Sequence, residues 1–417
     1  MSQRVASSAV YSTAGMAVQG LSRLAYTIII GRVLGTEALG HAGALLSLSI
    51  FVALFWPTAA GNTSSRFLAV ALHRGSSDAA VNRFLGVTTL ASSVLLGAIS
   101  VPIALALGNG PVTAASAALL VVGYGLYAYA RGAQLGYHRA RRIAFWDTAS
   151  SVLSLGLLVA VAVGGLSGLV LLPLAIGYVV FALACRPRGN GLPDADGLPE
   201  GLVSFAAWNV LAGLTTNGLL QIAMLAAQVY GRDAEAGVFA AAFTLATPAS
   251  MLGQAVSQIV VPAFAHRSGG GGLRDRSSAF FVTAFAAVSA VAFGLVALVS
   301  PWALPIFYPA QGAAAVPMLQ FLMLGVFVFT VALIPAALLL AAGRSRAVAL
   351  ASIGGFVVGI VTVVATGPSL GVWAGSVGFL VGSTVNLVAV VVIGLGRVDQ
   401  PIDDAAAQAA SEQTTSY

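Results

Sequence analysis

From Ser22 to Arg66 the chain reads SRLAYTIIIGRVLGTEALGHAGALLSLSIFVALFWPTAAGNTSSR, two long apolar runs joined by the hinge GRVLGTEALG. Each run is long enough to cross the hydrocarbon of a bilayer as a helix, and the hinge is too short to form anything but a surface loop. A chain built of such units can satisfy its backbone in lipid only as a helical bundle, because every peptide group must be bonded within the segment that carries it. The hinge returns in weaker form 197 positions later, where Gly231-Arg232-Asp233-Ala234-Glu235-Ala236-Gly237 precedes another apolar run. Setting Gly40 against Gly237 pairs the surrounding runs without gaps. A repeat of about half the chain predicts two homologous lobes rather than a solenoid.

Composition agrees. Of 417 residues, 59% are hydrophobic and 8% charged, against roughly 25% charged in a soluble domain. The mean hydropathy is +0.95. The single cysteine, Cys185, excludes internal disulfides and any multi-cysteine metal site and reads as a small apolar residue at a helix end. All basic residues are Arg, which with the abundance of Ala and Gly points to a high-GC bacterial genome. The N-terminal MSQRVASSAVYS has no short apolar region followed by a small-residue cleavage site, so the first helix is expected to remain in the mature protein.

Twelve spans are expected, at 8–31, 38–60, 80–107, 112–135, 143–164, 167–185, 201–229, 236–262, 277–300, 313–341, 347–366 and 371–395. The arginines test that count. Segments after even-numbered spans hold Arg66, Arg74 and Arg83, then Arg139, Arg141 and Arg142, then Arg186 and Arg188, then Arg267, Arg274 and Arg276, then Arg344 and Arg346; Arg4 and Arg397 lie at the termini. Segments after odd-numbered spans hold Arg32 and Arg232 alone. This asymmetry places both termini in the cytoplasm, and the chain is expected in a bacterial plasma (inner) membrane. The fold class is thus all-α and polytopic, with two pseudo-symmetric six-helix lobes around a central cavity. The lobes are residues 1–185 and 201–396, joined by a Pro-, Gly- and Asp-rich cytoplasmic linker at 186–200 and followed by a disordered tail at 397–417. The run HRSGGGGLRDR (266–276) has no Gly-Lys-Ser/Thr after its glycines and reads as a flexible loop, not a phosphate cradle. Gly371, Gly375, Gly378 and Gly382 form a small-residue packing stripe on the last span. Pro57 and Pro248 predict kinks in the second and eighth.

The first span carries Ser8, Ser12, Gln19, Arg23 and Thr27 on one helical face. Arg23 lies deep in the span, where an arginine costs about 2.5–3.5 kcal/mol on insertion scales, so it must face water, a counter-charge or a ligand. The seventh span carries Asn217, Gln221 and Gln228 on one face, with Thr216 beside them. The eighth adds Thr247, Gln254 and Gln258, and the second adds Ser47, Thr58 and Asn62. Under the 197-residue offset Thr216 answers Gln19, and Gln221 lies one residue from the partner of Arg23. These stripes predict one shared cavity, amide-rich and net positive, whose candidate substrate-binding residues are Arg23, Gln19, Asn62, Asn217, Gln221, Gln254 and Gln258. Taken singly, each amide reads as interhelical glue.

The other titratable groups offer little chemistry. Of 13 Asp and Glu, only Asp147 falls within a span, where it is expected to pair structurally with Arg131, Arg141 or Arg142. Arg131 reads as an interfacial anchor. Glu37, Asp233 and Glu235 lie in the hinges. His41, His73, His138 and His266 have no metal-ligand spacing, and no nucleophile–base set can be assembled. No catalytic residue, cofactor, metal or nucleic-acid partner is expected.

Several stretches together resemble the polysaccharide (oligosaccharidyl-lipid) flippases of the multidrug/oligosaccharidyl-lipid/polysaccharide exporter superfamily. They are Gly31-Arg32-Val33-Leu34-Gly35-Thr36-Glu37-Ala38-Leu39-Gly40, the SLSIFVALF run after it, Ala60-Gly61-Asn62-Thr63-Ser64-Ser65-Arg66, Gln134-Leu135-Gly136-Tyr137-His138-Arg139 and Ala234-Glu235-Ala236-Gly237. Leu39-Gly40-His41 departs from the aromatics often found there and leaves the subfamily open. The resemblance implies a cavity lined by spans 1, 2, 7 and 8. It also implies alternating access that moves polyprenyl-diphosphate-linked oligosaccharide from the inner to the outer leaflet, with the bilayer, the lipid-linked glycan and glycan assembly enzymes as partners. Two rivals stand beside it. A multidrug/cation antiporter of the same superfamily would need intramembrane carboxylates, which spans 1, 2, 7 and 8 lack. A membrane glycan polymerase or ligase would need a large outer loop with titratable groups.

Overall fold

The computed structural model describes residues 2–189, 191–192, 197–265, 276–341 and 344–396, without the side chains of 2–14, 16, 251–265, 277–278, 341 and 345. The described residues are almost wholly helical and contain no strand. In chain order the helices are α1 (Ser2–Val33), α2 (Thr36–Ala53), α3 (Pro57–Arg74), α4 (Ala79–Ala106), α5 (Pro111–Gly136), α6 (Ala140–Val163) and α7 (Leu172–Ala184). They continue with α8 (Leu202–Gly213), α9 (Leu219–Tyr230), α10 (Asp233–Ala265), α11 (Arg276–Phe307), α12 (Gly312–Ala341), α13 (Ser345–Leu370) and α14 (Ala374–Leu395). A π-helical turn over Leu214–Gly218 joins α8 to α9. Nine stretches among the described residues are long and apolar enough to cross a membrane. Counting α2 with α3 and α8 with α9, the helices follow the twelve expected spans.

The breaks have local causes. Gly35 sits at φ +90 in the first hinge, a conformation that glycine adopts without strain. The expected kink at Pro57 is a full interruption. Helix α2 ends at Ala53, and Pro57, with no N–H to donate, stands at the first position of α3. Helix α3 then runs on to Arg74, well past the expected end of the second span, so Arg66 and Arg74 lie on a helix and not in a loop. Its sequence, PTAAGNTSSRFLAVALHR, is too polar to register as membrane-spanning. By contrast α10 continues through Pro248 without interruption. Of the glycine stripe, Gly375, Gly378 and Gly382 pack as expected: a Cβ at Gly382 would come within 2.6 Å of Gly355 O, and one at Gly378 within 2.8 Å of Gly359 O. Gly371 instead forms a turn at φ +54. Cys185 is buried at the end of α7. The expected tail lies outside the described residues, as do most of the loop at 266–276 and part of the linker at 186–200.

Outward faces are apolar, with Val87, Leu90 and Val94 exposed on α4 and Val288, Val291, Leu295 and Leu298 on α11. Inside, α1 and α3–α7 pack chiefly on one another, as do α9–α14, while α2 packs chiefly on α9 and α10; the two groups meet where α1, α2 and α3 touch α8, α9 and α10. At this seam the repeat becomes physical. A Cβ on Gly40 would stand 2.8 Å from Gly237 N and 3.2 Å from Asp233 O, while one on Gly237 would overlap the Thr36 carbonyl. Thr36 and Asp233 are themselves 197 residues apart, so the two contacts are images of one another, as at an isologous interface. Gly43 meets its own image too, with Ala240 Cβ 3.0 Å from where a side chain would start. A pseudo-two-fold axis therefore runs between α2 and α10, in the register read from the hinges.

Candidate functional site

Just beyond these crossings the seam opens into two adjoining cavities. The smaller, about 60 Å³, is walled by Thr27, Leu46, Ser47 and Thr244 among others. The larger, about 330 Å³, lies further from the hinges. Gly20, Arg23, Ile50 and Thr247 line both. Equivalent positions both line the larger one: Gly20 and Asn217, Arg23 and Leu220, Ile50 and Thr247. The repeat thus builds the cavity from matching helix faces, while the chemistry differs between the halves.

Of the seven expected site residues, Arg23, Gln19, Asn62, Asn217 and Gln221 line this larger cavity. The side chains of Gln254 and Gln258 lie outside the described residues. Thr58 and Thr247 join the lining. Gln228 does not; its amide donates to Asp233 Oδ1 at 3.1 Å, by the second hinge. Thr216 is turned toward a separate small cleft with Ser352 and Asn386.

Arg23 is not held by a carboxylate. Its Nε and a terminal N–H donate to Tyr178 Oη at 2.9 and 2.7 Å. The guanidinium lies 5.1 Å from the centroid of the Tyr124 ring and 5.7 Å from that of Tyr178, so cation–π attraction offsets part of its desolvation. Tyr127 packs behind, 5.0 Å from Tyr178 and 4.6 Å from Phe181. Its hydroxyl is bonded to Gln19 Oε1 and lies 3.0 Å from Asp147 Oδ1. Asp147 is fully buried, and its Oδ2 is 3.6 Å from Arg131 Nε. Of the three partners expected for Asp147, the fold places Arg131 against it. Arg131 itself departs from its expected part as an interfacial anchor: its side chain is 15% exposed and lines the larger cavity. On the opposite wall Gln221 is 5% exposed and its carbonyl oxygen has no hydrogen-bond partner.

The contribution of α5 and α7 was missed in the sequence, where spans 1, 2, 7 and 8 alone were expected to line the site. A signal was present. Tyr124, Tyr127 and Arg131 are spaced i, i+3 and i+7, which puts them on one face of α5, but two tyrosines in an apolar run are indistinguishable from ordinary core.

The hinge end of the seam is shut. Arg32 donates to the backbone carbonyls of Ile306 and Phe307, the latter at 2.9 Å. Thr36 Oγ1 donates to Gln311 at 3.2 Å, and Tyr308 packs against Gly31. His41 Nε2 lies 3.7 Å from Asp233 Oδ1 across α2 and α10.

No protein-family model matches the chain, and no curated protein matches it in sequence. Solved structures do. A multidrug resistance MATE family transporter of the MOP superfamily, in an inward-facing conformation, superposes with a TM-score of 0.69 at 16% identity, covering 92% of this chain and 97% of that one. The lipid II flippase MurJ, in an inward closed conformation, gives 0.70 at 10% identity over 92% of this chain and 87% of that one. The chain shares the fold of these two transporters. An outward-facing MATE structure superposes with a TM-score of 0.61 at 15% identity over 94% of both chains.

Proposed function

We propose that the chain is a flippase that moves a polyprenyl-diphosphate-linked oligosaccharide or polysaccharide precursor from the inner to the outer leaflet by alternating access. On this reading it works in a bacterial plasma membrane with both termini in the cytoplasm, as two lobes, 1–185 and 201–396, rocking about the seam. The observation that carries it is the charge of the larger cavity: Arg23 and Arg131 line it, and among the described lining residues there is no carboxylate. A diphosphate offers paired oxygens that a guanidinium engages with two parallel bonds. Tyr124, Tyr127 and the unpartnered carbonyl of Gln221 suit the ring faces and hydroxyls of a sugar. The hinge clasp fits one state of such a cycle.

The rival with a specific observation behind it is cation-coupled drug export. Asp147 is an intramembrane carboxylate one hydrogen bond from the cavity, through Tyr127, and MATE family multidrug transporters share the fold. Proteoliposomes separate the two readings. Leaflet exchange of a polyprenyl-diphosphate oligosaccharide that is lost in Arg23→Ala, with the glycan covalently unchanged, supports the flippase. Proton- or sodium-driven accumulation of a lipophilic cation, with no leaflet exchange, overturns it.

A further inference from the structure

Arg131 occupies an unusual position. It reaches the cavity from the same face of α5 as Tyr124 and Tyr127, while its counter-ion, Asp147 on α6, stands behind it, fully buried and absent from the cavity wall. Tyr127 fixes the carboxylate from the same helix at 3.0 Å, and Gly15 of α1 leaves it room, since a Cβ there would come within 2.7 Å of Oδ2. Among the described residues, the groups facing Asp147 are Arg131 and Tyr127 from α5 and Gly15 from α1, with Tyr178 and Cys185 of α7 within electrostatic reach and Arg23, on the next turns of α1, already bonded to Tyr178. A cation with a buried carboxylate at its back and an open, positively lined cavity in front can be held by one anion or the other.

We infer that Arg131 is a second arm of the anion site, that Asp147 holds it as an internal counter-ion while the cavity is empty, and that the substrate diphosphate takes the place of Asp147. The inference rests on the flippase reading and deepens it. Binding consists of two exchanges. One phosphoryl group pairs with Arg23, and the other draws the Arg131 guanidinium off Asp147. Asp147, left buried beside Tyr127, takes a proton from water in the cavity, so that binding consumes one proton from bulk. Release runs in reverse: Asp147 gives up the proton and recaptures Arg131, which helps to eject the head group.

Calorimetry with inorganic pyrophosphate and with a short polyprenyl diphosphate, on the full-length protein in nanodiscs, tests this. Arg23→Ala and Arg131→Gln should each weaken binding tenfold or more. Asp147→Asn should tighten it about tenfold, take up no proton, and flip more slowly because release loses its competitor. In an Arg131→Gln background Asp147→Asn should change nothing, since the coupling needs both members. If Asp147→Asn alone fails to fold, the neutral pair Arg131→Gln with Asp147→Asn serves: about tenfold weaker binding than wild type is expected, and unchanged affinity overturns the role of Arg131. Binding that depends on Arg23 but is indifferent to Arg131 and Asp147 sinks this inference and leaves the flippase reading intact. Absence of any diphosphate binding by the wild type sinks both. Polyprenyl diphosphate bound without pyrophosphate would place part of the affinity in the lipid tail, and the Arg131 and Asp147 variants must still move it as stated.

Discussion

Arg23 is two hydrogen bonds and two aromatic faces away from being an isolated charge. Its expense was readable from the sequence, because an arginine so far from either end of a span has to be accommodated somewhere. Its partners were not, because Tyr124 and Tyr178 lie about 100 and 155 residues away and tyrosines in apolar spans read as core. The contacts sharpen the expected behaviour of variants. Arg23→Ala removes transport and leaves a cavity rather than an orphaned charge, so thermal stability should fall by no more than about 2 kcal/mol. Arg23→Lys keeps the charge without the fork and should retain partial leaflet exchange. Tyr178→Phe removes the acceptor of two guanidinium N–H groups, a loss of about 1.5–3 kcal/mol for a hydrogen bond to a charged group, and should raise the substrate concentration for half-maximal flipping more than it lowers the maximal rate. Were Arg23→Ala to transport normally, the cavity assignment would fall with it. Gln19→Ala should be milder, because Tyr127 retains Asp147 as a partner.

The helices show why patterning reads architecture better than detail. Span count follows from length and hydropathy, and both hinges were visible. The break before Pro57 was seen only as a kink, and the reach of α3 to Arg74 was hidden because a stretch as polar as Asn62-Thr63-Ser64-Ser65-Arg66 reads as a loop. The glycines at the crossings carry a sharper test. Helices α2 and α10 touch backbone to backbone, so Gly237→Ala must push Thr36 away and should cost about 1–3 kcal/mol, the range for an overpacked core. Gly294, on the outward face of α11, has nothing within 4 Å of an added Cβ, so Gly294→Ala should stabilise by about 0.5–1 kcal/mol through helix propensity alone. Thermal unfolding in one detergent compares the two directly. Equal effects would mean that the α2–α10 crossing is looser than described.

At the scale of the whole molecule two similar halves meet along a dyad, and on the proposed reading motion begins at the closed hinge end. With Cys185→Ala as background, Gly43→Cys and Ala240→Cys should cross-link on oxidation, since their Cβ atoms would start about 3.0 Å apart, close to disulfide range. The bond should stop transport, and a reductant should restore it; full activity in the oxidised form would exclude opening at this crossing. Orientation is tested separately. A cysteine at Glu37, exposed in the first hinge, should react with membrane-impermeant thiol reagents on intact cells, and one at His73 should not; the reverse labelling would invert the topology. The dyad has one further consequence. It relates backbone to backbone but sets Leu220 at the position equivalent to Arg23, and both cavity arginines belong to the first half. On the proposed reading the anionic end of the cargo rides on one lobe throughout the cycle, as a passenger seated on one side of a seesaw. The other lobe need only swing clear of it, and no charge is ever handed across the gap.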